Sequence, residues 1–434
     1  MNSNDLSQLE LRNMWRMRQW EYESRLQLPR SATSSRIDLS GSDLREINLE
    51  GMHLSGVNLN KANLSSIDLR TVDLYYADLS EADLGSADLR NVDLRGTHLR
   101  EAILYHARLN GAKLTSSDLS GANLSESDLS GADLSEANLS GANLIRANLD
   151  ETNLGRVNLS GVDLEEVDLS RADLSYAKLS NISLSGRDLK AMRLKGTHLD
   201  LANLSGADLS ETDLSGADLN GADLSKANLS RANLSRANLD RANLSETNLT
   251  GADLSQTRLL NIDLRTVNLS NANLSGAYLY QVDLRDFNLS DCMLQGTDLS
   301  KANLSNANLS GADLSRAGLS NANLSNADLS VANLNEANLR GTNLRNANLD
   351  KANLSGAKLR GARLSEASLR GVNLRGANLR NANLRGAAME AVQVEGANFR
   401  DADLRGIPWL IIMDLTVQPG VIFTGMRWDR PDEL

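Results

Sequence analysis

The chain has 434 residues, a formal net charge of −11, 3% aromatic residues, four Pro and one Cys. One Cys excludes an intramolecular disulfide framework and a Cys-rich zinc module, and four His leave little for a His-built metal site. No apolar run reaches the roughly 18 residues a membrane helix needs, and a core with so few aromatics has to be filled in another way.

The N-terminal segment, 1–36, reads as a helical cap or flank. Ser7 and Glu10 have capping-box spacing, which predicts a helix over 5–28. At about 100° per residue, Leu11, Met14, Trp15, Tyr22 and Leu26 share one side, and Leu6, Leu9, Met17, Trp20 and Leu28 the other. A cap needs only one apolar side. Either the second meets a partner or an irregular cap buries both, so Trp15, Trp20 and Tyr22 are candidate cap or assembly residues. The segment has no central apolar stretch and contains Arg12, Arg16 and Arg18, so it does not read as a secretory signal, and a cytoplasmic protein is expected.

From Leu39 to Leu404 the register repeats every five residues without an insertion, giving 74 slots, of which 71 are Leu. The others are Met389, Val394 and Phe399. Two residues before the slot stands mostly Ala, as in Ala62, Ala132 and Ala202, or another small or β-branched residue. The residue just before it is Asp or Asn in 56 slots, and Ser and often Gly follow. Period five fits neither common element. On a helix successive leucines would drift about 140° and circle the axis. On a strand they would alternate between faces. The spacing works if each fifth residue opens a new side of a coil, with the Leu and the residue two before it pointing inward. Period five alone leaves the number of sides open.

The units Ala132-Asp133-Leu134-Ser135-Glu136 and Ala142-Asn143-Leu144 resemble the pentapeptide-repeat family, and the resemblance covers 37–404. It implies an all-β fold, a right-handed quadrilateral parallel β-helix with four repeats per coil. That means about 18 coils over 37–406, roughly 85 Å at ~4.8 Å per coil. All four Pro and all four Trp lie outside the repeat, as expected where a Pro would delete a ladder donor.

Departures from the pattern mark candidate sites. The slots at 98, 103, 108 and 113 all lack Asp or Asn, so His98, Tyr105, His106, Arg108 and Lys113 form a candidate partner-binding patch. Arg187 occupies an inward slot within the irregular stretch from Ile182 to Thr197, where an unpaired charge is costly. It is expected to lean out at a bulge or a junction of repeat blocks. Phe287, Cys292 and Met293 read as local core repacking. Charge is lopsided: residues 37–170 are net −13, 171–404 net +1, and 351–400 net +6. Four-repeat spacing puts Arg340, Arg360, Arg380 and Arg400 in one outward column with Lys358 beside it. The column is either a solvated edge or a docking strip for an acidic protein or a nucleic-acid backbone.

At the C-terminus, 407–434, the apolar run Ile407–Met413 and the turn Val417–Val421 predict a small β cap or a dimer contact. Trp409, Leu410, Ile411 and Ile412 are the candidate cap or assembly residues. No nucleotide loop, nucleophile elbow or zinc-protease motif is present, and no cofactor or metal is expected. The expected function is a non-catalytic rod that binds an unknown protein and can self-associate through its ends. Direct nucleic-acid binding and membrane association are not expected. The alternative, drawn from the resemblance, is a DNA-mimicking modulator of a type II topoisomerase (gyrase) that uses the acidic segment 37–170.

Overall fold

The computed structural model describes residues 38–190 and 192–429. The predicted N-terminal cap with Trp15, Trp20 and Tyr22 lies outside them. The chain forms two compact units: Met1–Leu184 with Met192–Asn203, and Ser185–Ala191 with Leu204–Leu434. One of the three switches between them follows Asn203, and the other two, after Leu184 and before Met192, fall inside the irregular stretch from Ile182 to Thr197. Arg187 there is half-buried, and its carbonyl still accepts from the Asp208 N–H at 2.9 Å.

Each unit is a parallel β-helix. In the first, Asn58 pairs with Asp78, Asn63 with Asp83, Asp68 with Asp88 and His53 with Asp73, every partner four repeats along. Four five-residue sides therefore close one coil. Leu59 and Ala62 are fully buried and fill the bore, and each buried Leu contributes about 1.5–3 kcal/mol. The corner between them is a tight turn. The Ala62 N–H donates to the Leu59 carbonyl at 3.0 Å, and Lys61 takes φ 59°. A positive φ at that position is the type II requirement. Glycine adopts it freely, whereas a residue with a Cβ is strained by roughly 1–2 kcal/mol. Many corners nonetheless carry Lys, Glu, Arg or Asn at φ 55–62°. The ladder between coils holds them there: the Leu59 N–H reaches the Asp78 carbonyl at 2.7 Å, and the Asp83 N–H reaches that of Ala62 at 3.0 Å.

The Asp/Asn preference has its own cause. The side-chain oxygen of Asp118 accepts the N–H of Ser120 at 3.1 Å and bends the chain into the corner. Asn138, one coil on, donates its amide to the same oxygen at 3.0 Å. Asp thus starts such a ladder and Asn continues it. Among the described residues from His53 to Asp403 the pairing is interrupted at Asp163, Asp168 and Asp263, which follow Val162, Val167 and Ile262. A bulky inward residue alone does not break it, since Asn58 after Val57 and Asp93 after Val92 still pair. Cys292 is buried, and burial, then Asp291, pushes its thiol pKa up; such a thiol is a filler rather than a nucleophile.

The C-terminus corrects the β-cap expectation. Trp409–Thr416 is a helix, α1, with Pro408 (φ −56°) immediately before it. The β-prone composition of Trp409–Met413 is overridden because Ile412 and Leu415, three apart on one helical face, both enter the core. Pairing then resumes, Asn398 with Ile422 and Asp403 with Arg427. A regular coil would have brought Gln418, not Ile422, beside Asn398. The last coil is therefore longer than the others, and α1 replaces one of its sides. Trp409 stacks on Trp428 at 4.8 Å, and Ile411 is half-buried. Leu410 (81% exposed) and Val417 (73%) point away from the core.

Gln418 completes the cap. Its side-chain oxygen accepts the Val394 N–H at 2.7 Å, and its amide donates to the Val392 carbonyl at 3.0 Å. One side chain thus stands in for the strand that α1 displaced. Gln418→Ala is expected to destabilise the last coil by about 1–3 kcal/mol, the cost of leaving such groups unpaired. A urea titration with hydrogen exchange at 392–394 measures it, and unchanged protection there contradicts this role.

Candidate partner-binding surface

Because side chains stack once per coil, the fold decides which sequence candidates meet. His98, Arg108 and Lys113 pair with Asp118, Asp128 and Asp133 on three different sides of one coil. The predicted patch therefore does not assemble as one surface. Tyr105 and His106 remain in contact, while Arg108 faces Asp88 at 3.8 Å. Tyr105 and His106 share a corner with ring centroids 3.9 Å apart, and His106 lies 3.4 Å from Glu126.

The arginine column fares differently. In the second unit, Asn323, Asn343, Arg363, Asn383 and Asp403 pair in sequence and form one side, here the Asn343 face. Arg340, Arg360, Arg380 and Arg400 run along one edge of it. Asp401 lies 3.7 Å from Arg380 and 3.6 Å from Arg400 and serves both. Lys358 sits on the adjoining side, paired with Asn378. Sequence reasoning missed the other half of this surface: Arg345 and Arg385 line the opposite edge and Arg363 stands at the centre. Among the described residues, Arg340, Arg345, Arg360, Arg363 and Arg385 form no ion pair, and all five are exposed.

A local rule accounts for Arg340, Arg345 and Arg385, each of which follows Asn-Leu; Arg360 follows Lys358-Leu359 and Arg363 stands in the Asp/Asn slot itself. Wherever the chain reads Asp-Leu-Arg, the guanidinium folds back on the carboxylate two residues earlier. Arg70 donates from Nε to Asp68 Oδ1 at 2.9 Å and from Nη2 to Oδ2 at 2.6 Å. Asp43–Arg45, Asp88–Arg90, Asp93–Arg95, Asp263–Arg265, Asp283–Arg285 and Asp403–Arg405 repeat the clasp. On the Asn343 face the same frame reads Asn343-Leu344-Arg345 and Asn383-Leu384-Arg385. Asn offers the backbone the same oxygen, at 3.4 Å to the Arg345 N–H and 3.1 Å to that of Arg385, but no negative charge for the guanidinium. Asn-Leu-Arg against Asp-Leu-Arg shows in the sequence which arginines lack a clasp within their own repeat; Arg375 and Arg380, in the same Asn-Leu-Arg frame, are instead claimed by Glu395 and Asp401.

The clasps hold their carboxyls low. The Arg hydrogen bond, then the backbone one, lowers Asp43, Asp68 and Asp263 to about 2. A depressed folded-state pKa contributes stability that is present above the unfolded value near 4 and is lost as pH falls toward 2. The melting temperature is therefore expected to hold from pH 7 to about 4 and then fall toward pH 2. In Asp68→Asn, which lacks one clasp, the fall should be shallower. Scanning calorimetry across that range decides it, and a fall centred above pH 5 would assign the acid sensitivity to other groups.

The Pentapeptide repeats family matches in eight copies, at 35–74, 77–115, 117–156, 147–186, 188–225, 217–256, 327–365 and 367–406. The Pentapeptide repeat region matches 262–344. With the four-sided coil already seen, the chain belongs to the pentapeptide-repeat family of right-handed β-helices. Similar solved structures include HetL, a protein involved in heterocyst differentiation regulation from the cyanobacterium Nostoc sp. strain PCC 7120. It is 32% identical over 62% of this chain and 88% of that one, with a TM-score of 0.15. A trypsin-treated form of QnrB1, a plasmid-mediated fluoroquinolone resistance protein, is 20% identical over 50% and 92%, with a TM-score of 0.23. A pentapeptide repeat protein from the thylakoid lumen of Arabidopsis thaliana is 35% identical over 26% and 69%, with a TM-score of 0.14. Membership rests on the repeat matches and not on these superpositions. A comparison with curated proteins found no match. No helix among the described residues is long and apolar enough to cross a membrane.

Proposed function

We propose that this protein is a non-catalytic scaffold that binds a protein partner on the flat outer sides of its coils. One observation carries the reading. The inward slots are filled by Leu and Ala coil after coil, so chemical variety is confined to the outside, where the Asn343 face gathers arginines that the chain does not neutralise itself. Affinity capture with the intact protein, followed by crosslink mapping, tests it. Crosslinks should fall on outward positions such as Lys358 and on the sides of the coils. Crosslinks confined to the termini would replace the scaffold with end-to-end assembly.

A second reading is favoured by the acidic excess of 37–170. It makes this chain a DNA-mimicking modulator of gyrase. Clasps on Asp43, Asp68, Asp88 and Asp93 weigh against it, since they neutralise carboxylates that a mimic would display. A supercoiling assay with purified gyrase separates the two, and inhibition or protection at micromolar protein would favour mimicry.

A further inference from the structure

We propose that the Asn343 face, from Arg340 to Arg400, is a docking strip for an extended acidic segment of a partner protein. The proposal rests on the scaffold reading and names the chemistry of its partner. The chain shows how its own arginines bind carboxylates: in each Asp-Leu-Arg clasp two guanidinium nitrogens meet two carboxylate oxygens, as at 2.9 and 2.7 Å in Arg45–Asp43. Such bidentate pairs are the strong, geometrically selective ones. On the Asn343 face Arg340, Arg345 and Arg385 have an amide where the clasping carboxylate would stand, Arg360 follows Lys358 and Arg363 takes the acid's own slot. Glu366, on the same edge as Arg345 and Arg385, lies against Gly386 and forms no ion pair among the described residues. Arg340 and Arg345 bracket the side at one level, Arg360 and Arg363 occupy the next, and Arg385 follows. Like charges stacked one coil apart, about 4.8 Å, repel each other, and bound carboxylates would relieve that repulsion.

Two features favour an acidic peptide over a nucleic acid. The strip spans only about three coil rises, roughly 14 Å, which suits a short segment of alternating acids. A duplex carries a charge every ~1.7 Å and extends far past such a strip. The stretch 171–404 that contains the strip is close to neutral, net +1, so phosphates continuing past the strip meet no further excess of positive charge. The strip also closes itself at its lower end, where Asp401 serves Arg380 and Arg400, and Asp403 clasps Arg405 at 2.7 Å. That leaves the carboxylate-hungry part at Arg340–Arg385.

The test uses the full chain, a fluorescent twelve-residue poly-Glu peptide and a single-stranded oligonucleotide of equal length, read by anisotropy in low salt. The informative variant is Asn343→Asp with Asn383→Asp. It keeps every arginine but gives Arg345 and Arg385 internal clasps, and it should weaken peptide binding about tenfold. Arg360→Glu with Arg363→Glu should abolish binding, and Arg70→Gln, at a clasp in the first unit, should leave it unchanged. Circular dichroism and melting confirm that each variant is folded. Peptide affinity indifferent to the Asn→Asp pair and to the charge reversal overturns the proposal, as does tighter binding of the oligonucleotide through the same arginines. If the peptide fails to bind while captured protein still crosslinks to other sides, this inference falls and the scaffold reading stands.

Discussion

Leu324→Ala is expected to cost about 2–5 kcal/mol, the range for emptying a Leu-sized site in a packed core. Leu324 is fully buried, and its N–H reaches the Asn343 carbonyl at 2.7 Å. Refilling the void from the side is prevented, because the inward slots on the adjoining sides are themselves full and each is tethered by ladder bonds above and below. In a stacked repeat each coil touches only its neighbours, so the loss should stay local. Hydrogen exchange is expected to rise over the coils from about Leu304 to Leu344, with the coils around Leu224 protected as before. A urea midpoint shift worth under ~1 kcal/mol, or exchange rising evenly through both units, would show that stability is not held coil by coil.

Phe399→Ala is expected to cost about 3–5 kcal/mol and to free the end of the second unit. Phe399 is an inward aromatic in a slot that is otherwise nearly always Leu. It is fully buried and stacks on Phe423 at 5.4 Å with 15° between the rings. Its N–H donates to the Ile422 carbonyl at 2.7 Å, so the same residue packs and pairs the last coil. Removing the ring takes away the partner of Phe423 and loosens the strand that returns after α1. Phe399→Leu restores the residue used elsewhere and should recover most of the loss. Limited proteolysis gives the reading: new cleavage within 405–429 in the Ala variant, little in the Leu variant. Equal cleavage in both would mean that the ring is not what ties the last coil down.

Most of the fold was legible because one residue type does one job at one spacing. Leu at every fifth position has to point inward, and Asp or Asn before it meets the backbone two residues on, as Asp118 does with Ser120. The candidate surface was half legible. The column Arg340, Arg360, Arg380 and Arg400 follows from spacing once a coil is known to hold four repeats. Arg345, Arg363 and Arg385 escaped because they lie at other positions in the repeat, and only closure of the coil shows that they share a side with that column. The patch around His98 and Lys113 failed for the converse reason: neighbours in sequence are carried onto different sides at every corner.

The C-terminus marks the other limit. Local composition there favours strand, yet the last turn of the bore offers two inward sites, and a helix puts Ile412 and Leu415 into both at once. That preference exists only in the presence of the coil beneath. Periodicity and residue type were enough to define a coil and its inward residues, because those depend on position within one repeat; the Asp–Arg clasps became visible only in the folded side chains. Which arginines stand together without an acid, and how the open end is closed, were decided by packing, because both depend on groups that the chain brings together only after it has turned four corners.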